Sequence, residues 1–177
     1  MHIFLTGEVQ VGKTTVIAKA LAQLNIRHGG FKTYFGPNRG SINKLLYMNA
    51  AQEPPVFSAE NSIACFREGF MPEVFTEKFN TIGVALIRSA RANSQLIIMD
   101  ECGSFEGDAF EFQKEIIKTL DSKKPVFGVI KLASRGWTDH LRNHNNVRLI
   151  TVTRENRDDL AKICARYLDD SFKQLWE

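Results

Sequence analysis

Residues 7 to 14 read Gly-Glu-Val-Gln-Val-Gly-Lys-Thr, a G-x-x-x-x-G-K-T spacing that narrows the choice of local fold sharply. The two glycines allow the backbone to curl into a nest of N–H groups around an anion, where a Cβ would obstruct the approach. The spacing has this meaning only between a strand and a helix, and the flanks supply both. His2 to Thr6 form a short apolar run, and Val16, Ile17, Ala20, Leu21 and Leu24 recur at helical spacing. An α/β chain with this loop at its first turn is therefore expected. The loop predicts phosphate contacts from Gly7, Glu8, Val9, Gln10, Val11 and Gly12 through Lys13, Thr14 and Thr15. Lys13 bridges the outer phosphates, and Thr14 offers a hydroxyl oxygen to phosphate-bound Mg²⁺. The helix that begins there aims its positive end at the same anion. The ligand implied is a nucleoside triphosphate such as ATP or GTP, with Mg²⁺ as cofactor.

Downstream, residues 29 to 49 alternate apolar and polar side chains about a Gly-Pro-Asn-Arg-Gly turn, which predicts an antiparallel hairpin inserted in a parallel sheet. A short strand is expected near Ile63 to Phe66. A helix from Glu73 to Arg91 follows from Val74, Phe75, Phe79, Ile82, Ala85 and Leu86 on one face. The pattern then alternates: strand Leu96 to Met99, helix near Asp108 to Leu120, strand Val126 to Ile130, a short helix near Thr138, strand Val147 to Val152, and a last helix from Glu155. Apolar strands alternating with helices predict a mostly parallel sheet covered on both faces, in three layers.

At 177 residues the chain suits one domain with a full core, burying roughly 70% of its unfolded surface. No apolar run approaches the roughly 18 residues of a membrane span. With no room for a leader before the first strand, the expected compartment is the cytoplasm. Cys65, Cys102 and Cys164 are odd in number and widely spaced, and read as reduced packing residues. The net charge of +3 comes from basic residues scattered among 20 acidic ones, so direct nucleic-acid binding is not expected.

The strand LIIM runs into Asp100 and Glu101, as a Walker B segment does. An aspartate there can hold Mg²⁺, and a glutamate directly after it can orient and deprotonate the water that attacks the γ-phosphate. With GEVQVGKTT, IIMDECGSFE and VTRENRDDL in this order, and GGFKT and KPVFGVI in support, the chain resembles the small P-loop nucleoside-triphosphatases, the cancer-related nucleoside-triphosphatases and their archaeal and bacterial relatives. The resemblance implies a RecA-like variation of the P-loop fold and slow Mg²⁺-dependent hydrolysis of ATP, GTP and other triphosphates with loose base selectivity. It carries phosphate contacts to residues 7 to 15 and the acidic pair to Asp100 and Glu101. The family often has a lysine where this chain has Ser104, and its hairpin is longer and richer in glycine and arginine. Lys131 falls where the family tends to have a polar residue able to sense the γ-phosphate.

Asn156 and Arg157, at the start of the last helix, have two readings: contact with base or ribose, as the resemblance implies, or helix initiation, with Thr153 as N-cap. Arg39, Arg67, Arg135 and Arg157 are eligible to neutralise charge on the transferred phosphoryl group, Arg135 first because Gly136 follows it. His140 and His144 share a spacing of four without a third metal ligand, and Phe105 to Phe112 suit core packing better than a base. Two rival functions stand beside hydrolysis: a small-molecule or nucleoside kinase, and a nucleotide-dependent switch with weak intrinsic hydrolysis.

Overall fold

The computed structural model describes residues 1–37 and 40–176, with side chains as far as Phe172 at the C-terminal end. The elements are β1 (His2–Thr6), α1 (Lys13–Leu21), β2 (His28–Phe35), β3 (Lys44–Ala50), β4 (Ser62–Phe66), β5 (Glu73–Val74), α2 (Thr76–Lys78), a π-helical turn (Phe79–Gly83), α3 (Val84–Asn93), β6 (Leu96–Cys102), α4 (Phe110–Leu120), β7 (Val126–Ile130), α5 (Trp137–Arg142), β8 (Val147–Thr151) and α6 (Arg157–Trp176).

Side-chain alternation along the apolar strands divides the core in two. Ile3 and Leu5 of β1 join Leu96 and Ile98 of β6 on one face of the sheet, where Val16 and Ile17 of α1 and Leu160 and Cys164 of α6 cover them. Phe4, Ile97 and Met99 point to the other face, against Ile87 of α3 and Phe112 and Ile116 of α4. Helices α3 and α4 are also tied by Arg88 and Arg91, which both pair with the buried Glu115. A Cβ at Gly83 would lie 2.5 Å from the Phe112 ring, so the π-helical turn brings α4 closer than a larger residue would allow.

The described strands form one sheet in the order β5-β4-β3-β2-β6-β7-β1-β8. β2, β6, β7, β1 and β8 are parallel, and β3, β4 and β5 form an antiparallel wing on β2. This is the expected α/β, three-layer, mostly parallel arrangement in its RecA-like variation, with β7 between the strand of the glycine loop and the strand of the acidic pair.

Several boundaries differ from those expected. The first arm of the hairpin, β2, pairs parallel to β6 and belongs to the parallel set, so only the return strand is an antiparallel addition. The turn residues Asn38 and Arg39 lie outside the described residues. Glu73 and Val74 are strand rather than helix, because they pair with Cys65 and Ala64 of β4, and helix begins only at Thr76. β6 continues past Met99 to Cys102, placing Asp100 and Glu101 within its last turn of pleat. The last helix starts at Arg157, after Asn156. β8 is an edge strand with Arg148, Leu149 and Thr151 exposed, so cover on both faces holds only for the inner strands.

Candidate active site

The loop between β1 and α1 takes the backbone path that its glycines permit. Gly7 has φ 145° and Gly12 φ 108°, both in the region open to glycine, and a Cβ at Gly7 would stand 2.5 Å from the Val152 carbonyl oxygen. Val11 is buried in the core and anchors the loop, whereas Val9 is exposed. α1 has no side-chain cap and no acidic residue in its first turn, which leaves its leading N–H groups and the dipole to an anion. The Lys13 ammonium donates to the carbonyl oxygens of Gly7 (2.9 Å) and Glu8 (2.8 Å) and thus lies along the mouth of the loop.

Thr14 follows Lys13 on the first turn of α1, and its hydroxyl donates to Asp100 Oδ1 at 3.4 Å. Asp100 is 6% exposed. Burial pushes its carboxyl up to about 6; the Thr14 hydrogen bond and Lys13 oppose the rise, and Glu101 adds to it. A buried carboxylate beside a hydroxyl, next to an anion cradle, is a hard-oxygen donor pair of the kind Mg²⁺ takes. These residues fit the ion.

The loop and Glu101 share one cavity of about 600 Å³, lined by Gly7 to Gln10 and Gly12 to Thr15 together with Phe35, Glu101, Lys131, Leu132 and Ala133. Its two ends are the glycine cradle and the Glu101 carboxylate. Lys131 leaves the C-terminal end of β7, the strand between β1 and β6, so it enters the cavity between these ends; its ammonium rests 5.4 Å from the Phe105 ring centroid.

Two residues behind Glu101 were not singled out by sequence. Glu106 is 3% exposed, and its Oε2 accepts the Gly103 N–H at 2.8 Å. Burial raises its carboxyl to about 7; the backbone N–H groups of Gly103 and Glu106 oppose this, Glu101 adds to it, and Lys131 opposes it again. The Trp137 indole donates to the Gly103 carbonyl at 2.7 Å. Gly103 is thus held from both sides, fixing the chain two residues beyond Glu101. The sequence signal was Glu106 at the end of IIMDECGSFE; nothing in the sequence pairs Trp137 with Gly103.

The other candidates separate. Asn156 is committed to the helix start: Oδ1 accepts from the Thr153 N–H (2.8 Å) and Nδ2 donates to the Thr151 carbonyl (3.0 Å), while the Thr153 hydroxyl accepts from the Asn156 N–H. The capping reading is thus seen directly in the structure. Arg157 lies against the loop, 3.4 Å from where a Gly12 Cβ would be, and lines a small recess with Thr15 and Lys19. Arg135 folds back onto the carbonyls of Leu132 and Ser134, and Arg67 pairs with Glu73 on the wing. Arg39 lies outside the described residues. His144 pairs with Asp121, and among the described residues no cluster of three metal-ligating side chains occurs. Phe112 is buried in the core and Phe105 packs against it, whereas Phe110 is 69% exposed. The three cysteines are free.

A cavity lined by a glycine cradle after β1 and by the Glu101 carboxylate of β6, with Asp100 buried beside Thr14, defines the P-loop class of α/β proteins. Within it, the family model described as NTPase matches residues 2–165, and the chain belongs to that family. It is 30% identical over 160 residues to the nucleoside-triphosphatase THEP1 of Thermotoga sp. (strain RQ2), covering 90% of this chain and 91% of that one. To the protein of the same name from Thermotoga maritima it is 31% identical over 163 residues, with 90% and 91% covered. Among solved structures, the crystal structure of THEP1 from Aquifex aeolicus superposes with TM-score 0.76 at 21% identity, over 95% of this chain and 99% of that one. The solution structure of a human cancer-related nucleoside triphosphatase gives 0.67 at 24% identity, over 96% and 98%. No helix of the described residues is long and apolar enough to cross a membrane.

Proposed function

We propose that the chain hydrolyses nucleoside triphosphates to nucleoside diphosphates and phosphate in a Mg²⁺-dependent reaction with little selectivity for the base. The observation that carries this reading is that the phosphate cradle and Glu101 line the same cavity. The N–H groups of residues 7 to 15 and the Lys13 ammonium hold the β- and γ-phosphates, with Arg157 beside Thr15 on the side of the α-phosphate and ribose. Thr14 and Asp100 hold Mg²⁺, which neutralises charge on the phosphate oxygens when bound. Glu101 orients the attacking water and takes its proton as the water oxygen bonds to the γ-phosphorus and the bond from that phosphorus to the β–γ bridging oxygen breaks, releasing the nucleoside diphosphate. Lys131 faces the equatorial oxygens, where charge is spread in the transition state. The Glu106–Gly103–Trp137 clamp keeps the Glu101 end of β6 in place.

Loose base selectivity follows from what surrounds the loop on its other side. A recess of about 370 Å³ there is lined by Val9, Gln10, Leu132 and residues 151 to 155. Val9, Leu132, Arg154 and Glu155 are exposed, and the Asn156 amide is used within the chain. Strong discrimination needs buried hydrogen-bonding groups that a wrong base leaves unpaired, and this recess offers few.

Phosphate release from ATP, GTP, CTP and UTP, with and without Mg²⁺, tests the reading. The expected result is turnover of all four that requires the metal. Glu101→Gln should keep Mg²⁺-nucleotide binding and lower kcat by roughly 10²-fold or more; unchanged turnover would remove Glu101 from its role.

A further inference from the structure

Beside Glu101, the triphosphate cavity is adjoined by an annex of about 140 Å³ that shares lining residues with it but none of the glycine loop. Phe35, Leu46, Phe66 and Phe105 form its apolar wall, Thr33, Gly103, Ser104 and Glu106 line it as well, and it shares Phe35, Glu101 and Lys131 with the main cavity. The rings are packed on one another, Phe35 to Phe66 at 5.3 Å and Phe66 to Phe105 at 5.7 Å between centroids. Leu46 is the cross-strand partner of Phe35, so the antiparallel wing builds this wall. Glu101 and Lys131 are the polar groups that it has in common with the nucleotide cavity.

Hydrolysis alone has no use for such a chamber. The attacking water needs only a carboxylate and a phosphorus atom, whereas a space of this size with three rings and Leu46 on one wall accepts a body of about six carbon atoms. A molecule with an apolar body and one hydroxyl would place the body among the rings and the hydroxyl at Glu101. We infer that the annex is an acceptor site for small apolar primary alcohols, and that the protein transfers the γ-phosphoryl group to them in competition with water. The inference rests on the triphosphatase reading, since it uses the same donor and the same base. The alcohol oxygen forms a bond to the γ-phosphorus, the bond from that phosphorus to the β–γ bridging oxygen breaks, and the hydroxyl proton passes to the Glu101 carboxylate. The products are an alkyl phosphate and the nucleoside diphosphate, and Glu101 returns its proton to solvent.

Phosphorus NMR of Mg²⁺-ATP turned over in methanol, ethanol, propan-1-ol, butan-1-ol or octan-1-ol, compared per mole of alcohol, measures the ratio of alkyl phosphate to inorganic phosphate. This ratio is independent of the overall rate. It is expected to rise about fourfold for each added methylene while the chain still fits, and to drop for octan-1-ol, which exceeds the annex. Leu46→Trp, which fills the annex, should flatten the series, and Phe66→Ala, which enlarges it, should move the optimum to a longer alcohol. Diphosphate formed with inorganic phosphate alone, or a ratio indifferent to chain length or to both substitutions, would overturn the inference and leave the triphosphatase intact. Absence of diphosphate in every condition would overturn both.

Discussion

Replacing Glu106 by glutamine tests whether the carboxyl behind the base is held neutral by its burial. The side chain is 3% exposed, and its carboxyl is raised from 4.5 to about 7. Below pH 4.5 it is protonated in the folded and unfolded chain alike and adds nothing to the pH dependence. Between 4.5 and 7 the folded protein keeps the proton that the unfolded chain has lost, so stability falls as pH rises. Above 7 both forms are ionised, and the folded protein carries the full deficit, about 3 kcal/mol at roughly 1.4 kcal/mol per unit. Glutamine keeps an oxygen that can accept the Gly103 N–H and has no proton to lose. Whatever E106Q does to stability at low pH, its stability relative to wild type should therefore improve by about 3 kcal/mol between pH 4.5 and a pH about one unit above 7. Other titrating groups are common to both proteins and cancel, apart from Glu101, Cys102 and Lys131, whose charges are felt at or from this carboxyl. Urea unfolding across this range, with midpoints and slopes fitted separately, reads the difference. A stability gap that is constant with pH, or that moves the other way, would refute the reasoning.

Lys13→Ala should weaken triphosphate binding and hydrolysis together; undiminished affinity by calorimetry would count against the cradle. Lys131→Ala is expected to lower kcat at least tenfold while leaving diphosphate affinity nearly unchanged, because the charge it faces develops on the transferred group, and an equal loss of diphosphate binding would contradict that placement. His2 is buried, donates from Nε2 to the Leu120 carbonyl, and is lowered to about 4, chiefly by burial. As pH falls from 6.5 toward 4 the unfolded chain takes up a proton that the folded one refuses, so wild type should lose about 3 kcal/mol of stability and His2→Gln should lose much less over the same range. The His2 and Glu106 slopes oppose each other between pH 4.5 and 6.5, so both emerge only from the single variants.

The cradle was legible because its requirements are local. Positive φ at Gly7 and Gly12, a lysine and a hydroxyl in fixed succession, and apolar runs on either side are all written in consecutive residues. Asp100 and Glu101 were legible for a related reason, since an apolar strand that ends in acids places them at the carboxyl edge of a sheet. Glu73 and Val74 show the limit. Their spacing continues the helical pattern of Phe79 to Leu86, and only pairing with Ala64 and Cys65, which the pattern does not record, makes them strand. Asn156 shows another limit. Its spacing from Thr153 suits a cap and a ligand contact equally, and only the partners of the two ends of its amide reveal the cap. Arg135 had a mobile glycine after it, yet the nearest acceptors were the carbonyls of its own loop. Glu106 and Lys131 gain their importance from adjacency of β6 and β7, which no local pattern specifies.

The strand order also divides the labour within the sheet. The parallel strands β1, β7 and β6 deliver in lateral sequence the cradle, Lys131 and the acidic pair, so three segments distant in the chain meet along one edge of the sheet. The ligand position follows from this, because strands that point the same way bring their carboxyl ends to one edge. The wing has the opposite character. β3 and β4 run antiparallel, supply no side chain to the phosphate cavity, and instead place Leu46 and Phe66 beyond Glu101. Substitutions in the parallel set should therefore alter whether the triphosphate is bound and cleaved, whereas substitutions in the wing should alter what receives the phosphoryl group. A wing substitution that changed diphosphate affinity and left product partition untouched would break that division.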